Sequence, residues 1–231
     1  MSFGDPYTFL IRLVYLIPAV LVGFVLHEMA HAYVAVARGD DTPRRQGRLS
    51  PDPRRHLEPI GLVMVALVGV GFARPVTINP SALRGRAARV TVALAGPITN
   101  LLIAVVASLL LKVFVGGDYV VTALTPLPCT LTGSPHDLFA TELFYMYRLN
   151  LYLFIFNLLP IPSLDGFELI RAYLRTRNPR LLFQIEMNRQ AILLVVILIF
   201  LFLPGVLFGL MNLVIIPISR LLGVPPLGPC G

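Results

Sequence analysis

The sequence predicts an all-α, polytopic membrane protein, and three observations carry that prediction. Hydrophobic residues make up 56% of the 231-residue chain and charged residues only 13%, a balance far from that of soluble domains. The apolar residues fall into repeated long runs rather than one core-sized set, and runs of about 20 helical residues cross a bilayer. Arginines gather between the runs instead of within them, the pattern of short cytoplasmic loops.

Residues 7–37 are apolar apart from Arg12, Pro18 and one polar cluster, enough for one spanning helix with a kink near Pro18. "IGLVMVALVGVGFA", residues 60–73, is too short to span and holds glycines at 61, 69 and 71, so a re-entrant hairpin is expected there. Its β-branched and glycine content suggests that it offers a strand edge, around Val65 and Val68, to an extended peptide. Residues 90–115 and 136–159 are long enough to span, and runs 191–203 and 206–222 follow, separated by Pro204 and Gly205. One membrane domain over 1–223 with a C-terminal tail at 224–231 results. No basic cluster precedes the first run, so that run is expected to stay in the mature protein rather than be cleaved as a signal peptide.

Arg38, Arg44, Arg45, Arg48, Arg54 and Arg55 follow the first run; Arg84, Arg86 and Arg89 precede the next span; Arg171, Arg175, Arg177, Arg180 and Arg189 lie further on. All three stretches are expected in the cytoplasm, and residues 116–135, with Asp118 and no lysine or arginine, on the other side. The net charge of +7 is that of arginines meeting anionic lipid headgroups, so membrane lipids are expected partners and nucleic acid is not. Cys129 and Cys230 fall on opposite sides of the membrane in this arrangement, which excludes a disulfide between them.

The cluster inside the first run is "HEMAH": His27, Glu28 and His31. Residues four apart on a helix differ by only about 40° around the axis, so both imidazoles can face one ion with Glu28 beside them. That arrangement suits one Zn2+, with a further protein ligand, an open position for water, and a glutamate that takes the water's proton. Two core histidines that merely happen to be four apart are the plain alternative, but such a triplet is expensive inside a membrane span. The clearest third ligand is Asp165 in "NLLPIPSLDGFELI", residues 157–170, where Pro160, Pro162 and Gly166 break a helix. Irregular backbone at that depth is tolerated where it lines a site; the competing reading of Asp165 is a helix N-cap.

"HEMAH", "AGPITN" (95–100) and "NLLPIPSLDG", in this order, resemble the signature motifs of the site-2 protease family of intramembrane zinc metalloproteases. "GRLSPDPRRHLEPIG" and "GFARPVTINP" resemble its compact bacterial members, and the stretches between spans are too short for PDZ or CBS modules. The resemblance implies about five or six transmembrane helices in the bacterial inner membrane, with zinc towards the cytoplasmic side. It also implies cleavage of transmembrane segments of membrane-protein substrates. By position, His27, His31 and Asp165 match the family's zinc ligands and Glu28 its catalytic base. Asn157 heads the third motif and either bonds substrate or ties two helices together. Asn100 has the same two readings, with the structural one favoured. His56 either approaches the metal or a substrate near the cytoplasmic mouth, or bonds loop backbone. Ser163 stands where the family commonly has a second proline, which leaves the loop less rigid. A zinc-binding protein without activity and a metal transporter are the alternatives to a protease, and Glu28 separates them, because a glutamate that is not a ligand serves hydrolysis.

Overall fold

A computed structural model describes residues 6–68, 73–85, 87–115 and 135–224. Among them the regular structure is helical. The long elements are α1 (Pro6–Ala37), α4 (Ala88–Val115), α5 (Pro135–Asn157) and α9 (Pro204–Leu221). Shorter helices are α2 (Thr42–Arg45), α3 (Pro59–Val68), α6 (Phe167–Arg177), α7 (Pro179–Met187) and α8 (Arg189–Phe202). The observed bounds lie within a few residues of the expected apolar runs, because proline at position 135, 179 or 204 suits a first helical turn that needs no N–H donor.

Among the described residues, two helices are by length and hydropathy able to cross a membrane, α1 over Leu13–Ala37 and α4 over Ala88–Phe114, and a third if the α7–α8 pair, bent by 64°, is one span. That is fewer than the five or six the sequence suggests. α5 has 23 residues, but Asp137, Glu142, Arg148 and Asn150 dilute its hydropathy. α8 has 14 residues, short of the roughly 20 that a span needs.

Four helices form the body of the molecule, and their contacts fix their directions. α1 runs antiparallel to α4, since His27 meets Asn100 and His31 meets Val92. α4 is antiparallel to α5, through Asn100–Asn150 and Phe114–Phe139. α9 is antiparallel to α5, with Tyr147 donating to Ser219 and Tyr152 to Asn212. Ala104 and Ala107 on α4 let α5 come close, and Leu111, Phe144, Tyr147, Leu151, Met211 and Ile215 fill the space around them, the small-residue packing expected between membrane helices.

This register corrects one expectation. α9 ends beside the end of α4: a Cβ at Gly223 would fall 2.7 Å from Lys112 Nζ. α4 and α9 therefore end at the same end of the bundle; Cys129 and Cys230, on which the expectation of opposite sides falls, lie outside the described residues. Counting α8 and α9 as two successive crossings is what had separated them.

The segment 60–73 does return to its starting point. Leu57 pairs with Ala73 in an isolated antiparallel bridge, and Arg74 N–H donates to the His56 carbonyl at 2.7 Å. Between these ends the chain is helical over Pro59–Val68, so the expected strand edge around Val65 and Val68 is replaced by a helix; residues 69–72 lie outside the described set. An unbroken apolar run satisfies its own main chain most simply as a helix.

Past α1, buried polar groups stitch the loops together. Arg48 donates to the carbonyls of Arg55, Arg74 and Pro75. Asp40, fully buried, accepts from Thr42 N–H at 2.9 Å and Asn79 N–H at 2.6 Å. Burial opposes ionisation of Asp40, but these hydrogen bonds outweigh it and hold its carboxyl below the usual range. A depressed folded-state pKa gives stability that is complete above the unfolded value, about 3.9, and is lost as pH falls through the folded one. Asp40→Asn is expected to lower stability by about 2 kcal/mol at neutral pH. Thermal unfolding in detergent should show the gap to wild type closing below about pH 4; a gap that persists at low pH would point to packing instead.

Candidate metal centre

α1 carries His27, Glu28 and His31 on its inward side, where they are only 7%, 8% and 6% exposed. Each imidazole is held through its Nδ1. His31 Nδ1 lies 2.7 Å from the Val92 carbonyl on α4, and a carbonyl only accepts, so this nitrogen carries the hydrogen. His27 Nδ1 lies 2.6 Å from Asn100 Oδ1. Asn100 points that oxygen at the ring because its Nδ2 donates to Asn150 Oδ1 at 2.8 Å and to the Gly23 carbonyl at 3.3 Å.

With both hydrogens on Nδ1, both Nε2 atoms present lone pairs. They face each other at 3.0 Å, and in these tautomers that contact is not a hydrogen bond. Asp165 Oδ2 closes the triangle, 3.2 Å from His27 Nε2 and 3.3 Å from His31 Nε2, buried and with no hydrogen-bond partner of its own. Three electron-rich atoms pressed together in an apolar interior repel one another unless a cation lies among them.

The triangle fits one. Tetrahedral zinc with bonds of about 2.0–2.2 Å separates its ligand atoms by roughly 3.3 Å. The space beside them is kept by Gly96, where a Cβ would fall 2.4 Å from His31 Nε2 and 2.6 Å from His27 Nε2. Among the described residues, His27, His31 and Asp165 are the one group of histidine, cysteine and acidic side chains placed to hold a metal ion.

Asp165 reaches the histidines from a turn that the helix break makes possible. Gly166 N–H donates to the Asn157 carbonyl at 2.7 Å, closing the turn back onto the end of α5. Glycine is required at 166, since a Cβ would lie 2.2 Å from the Leu158 carbonyl oxygen. The N-cap alternative for Asp165 falls away: Gly166 caps α6 without a side-chain bond, and Glu168 N–H takes the main-chain carbonyl of Asp165. Ser163 adopts φ = +80°, closed to the proline expected from the family pattern, whose ring holds φ near −65°.

Glu28 stands outside the triangle. Its Oε2 accepts from Val76 N–H at 3.0 Å, in the irregular stretch 74–79 that Arg48 and Asp40 anchor. The other expected residues are placed apart. His56 is fully buried and its Nε2 donates to the Ser50 carbonyl at 2.7 Å, the loop-backbone arrangement. Asn157 turns its amide back onto its own helix, donating to the Leu153 carbonyl at 2.9 Å, and neither ties helices nor joins the triangle. Asn100 holds His27. Sequence reasoning missed Asn150, the Val92 carbonyl and Val76 N–H, and it reads Gly96 only as a point of close helix approach. Only Asn150 left a signal, as an amide in the apolar run "LNLYLFIF".

The model of peptidase family M50 matches residues 15–204 of this chain, which therefore belongs to that family, the site-2 proteases. A Bacillus subtilis protein named a candidate zinc metalloprotease, YwhC, is 39% identical over 68% of this chain and 67% of its own length. A Mycobacterium tuberculosis protein of similar naming, Rip2, is 32% identical over 77% of this chain and 64% of its own length. The chain thus spans about two thirds of these relatives. No solved structure matches it.

Gly96→Ala is expected to abolish stoichiometric metal binding while leaving helix content and thermal unfolding of the metal-free protein near those of wild type. Metal analysis of the purified variant checks this; retention of a full equivalent would place the ion away from the triangle.

Proposed function

We propose that this chain is an intramembrane zinc metalloprotease that hydrolyses peptide bonds within or near transmembrane segments of other membrane proteins. The observation that carries the reading is the triangle of His27 Nε2, His31 Nε2 and Asp165 Oδ2, with a glutamate one residue from the first ligand and not part of it. Membership of family M50 and the names of the relatives support the same reaction class.

His27, His31 and Asp165 hold the zinc ion, and a bound zinc ion supplies Lewis-acid activation of water and of the scissile carbonyl. Glu28 takes the proton from the attacking water and passes it to the leaving amine. Val76 N–H fixes one carboxylate oxygen of Glu28 and so leaves the other free for that proton. Nδ1 bonds to Asn100 and Val92 keep both imidazoles in the tautomer that a metal needs. A helical substrate hides its amides in their own hydrogen bonds and must unwind before it is cut, so helix-breaking residues near the cleaved bond are expected to matter.

On this reading α5, packed against α4, and α9, packed against α5, cross the membrane along with α1 and α4. α3 belongs to the segment expected to be re-entrant, and the bent α7–α8 pair is not a full crossing on this reading, since α9 ends beside the end of α4. The site end carries Arg38, Arg44, Arg45, Arg48, Arg54, Arg55 and Arg84, which orients it to the cytoplasm, in the inner membrane of a bacterium. Retention of zinc without cutting, or transport of the ion, would make Glu28 dispensable.

The experiment is cleavage of a panel of model transmembrane substrates by detergent-purified protein, with zinc content measured in parallel. Wild type should cut with about one zinc per chain. Glu28→Gln should keep its zinc and lose at least about 10²-fold in rate; Asp165→Asn should lose both. Equal cutting by wild type and Glu28→Gln would overturn the proposal.

A further inference from the structure

Asn150 lies in the middle of α5, fully buried, one helix removed from the metal triangle, and no step of the reaction uses it. Its contacts form a directed chain. Asn150 Nδ2 donates to the Met146 carbonyl at 2.8 Å, Asn100 Nδ2 donates to Asn150 Oδ1 at 2.8 Å, and Asn100 Oδ1 lies 2.6 Å from His27 Nδ1.

Direction enters from two main-chain carbonyls, that of Met146 through Asn150 at 2.8 Å and, over a longer bond of 3.3 Å, that of Gly23 on Asn100 itself. A main-chain carbonyl accepts and never donates, so the bond to Met146 forces Asn150 to turn its amide nitrogen that way and its oxygen towards Asn100. Asn100 must then present its own nitrogen to Asn150 and its oxygen to His27. His27 in turn must carry its hydrogen on Nδ1, which leaves Nε2 as a lone pair facing His31 and Asp165. Reversing either amide would set acceptor against acceptor inside an apolar bundle, at Asn150 Oδ1 and the Gly23 carbonyl for Asn100 or at the Met146 carbonyl for Asn150, where an unmatched polar contact costs about 1–3 kcal/mol. The fold makes room for the chain: a Cβ at Gly23 would lie 2.9 Å from Asn150 Oδ1, and the Gly23 carbonyl takes the second hydrogen of Asn100 Nδ2.

We propose that Asn150 is a positioning residue for the metal: through Asn100 it relays the polarity of the Met146 carbonyl to His27 and selects the tautomer whose Nε2 can bind zinc. The inference rests on the assignment of His27 as a zinc ligand and extends it by two amides and a second helix. It is separable from simple packing, because what Asn150 transmits is a direction. A side chain at position 100 that accepts from either of its ends would not need to be told which way to turn. Aspartate is such a side chain, since both oxygens of a carboxylate accept.

The test measures zinc affinity by competition with a chromophoric chelator, on the full chain in detergent, with thermal unfolding of the metal-free protein as the fold control. Two variants cut the relay. Asn150→Ala removes the side chain, and Asn150→Ser keeps a hydroxyl that bonds the Met146 carbonyl within its own helix but is too short to reach Asn100. Each is expected to weaken zinc binding by about 10-fold or more, within the range for partners of metal-bound histidines. Adding Asn100→Asp to either is expected to recover part of the lost affinity, the second carboxylate oxygen forfeiting the bond to the Gly23 carbonyl.

Zinc affinity within twofold of wild type in a folded Asn150→Ser protein would overturn the proposal. So would a loss that Asn100→Asp leaves uncorrected, which would mark a packing role. Failure of wild type itself to bind zinc would instead remove the metal reading on which the inference stands, so the two failures are distinguishable. In 15N spectra of the metal-free protein, whose sequence has only four histidines, His27 should report hydrogen on Nδ1 in wild type and in the Asn100→Asp double variants. In Asn150→Ser it should report a mixture of tautomers; an unchanged Nδ1 tautomer there counts against the relay.

Discussion

Three lone pairs held within 3.3 Å of one another are the constraint around which the rest of this molecule is arranged. In an apolar interior such a cluster is unfavourable on its own and becomes favourable when a cation joins it. Each donor is fixed from behind. His31 is held by a main-chain carbonyl, His27 by an amide whose orientation is set on a third helix, and Asp165 by a turn closed at Gly166. The glycine at 96 keeps the interior of the triangle clear, and the glycine at 23 lets the amide chain pass between α1 and α5. The helix packing and the metal chemistry are therefore the same contacts viewed from two sides.

The second arrangement concerns Glu28. It lies on the helix that supplies two of the three donors but bonds elsewhere, to a main-chain N–H of the irregular stretch 74–79. That stretch is pinned at one end by the Arg48 guanidinium on consecutive carbonyls and at the other by Asp40. Loops beyond the end of α1 thus reach back to orient a carboxylate inside the bundle. A long apolar helix rigidly places its own side chains, but it takes a neighbouring segment to choose which way a glutamate points.

Much of this was legible in the sequence, for identifiable reasons. The H-E-x-x-H spacing is a local geometric fact about one helix, and "SLDG" after two prolines is a local break, so His27, Glu28, His31 and Asp165 stood out before any fold was known. The ends of the long helices followed, within a few residues, from apolar run lengths. What depended on register between helices was not legible. Gly96 reads as a packing glycine until the imidazoles are seen against it, and Asn150 as a lone amide until its partner on α4 is known. The course of α8 and α9 was misjudged because hydropathy counts residues and does not show which ends meet; Lys112 beside Gly223 shows it. The valines of 60–68 fit strand or helix equally by periodicity, and the helix won because it satisfies its own backbone.

The central claim is that two imidazole nitrogens and one carboxylate oxygen, drawn from helix α1 and the turn after α5, form a single zinc site. X-ray absorption at the zinc edge of the purified wild-type protein tests it most directly. The account predicts about one zinc per chain with a first shell of nitrogen and oxygen only, at about 2.0–2.2 Å, and the outer-shell scattering of two imidazoles. A shell containing sulfur, or one without imidazole scattering, would contradict it.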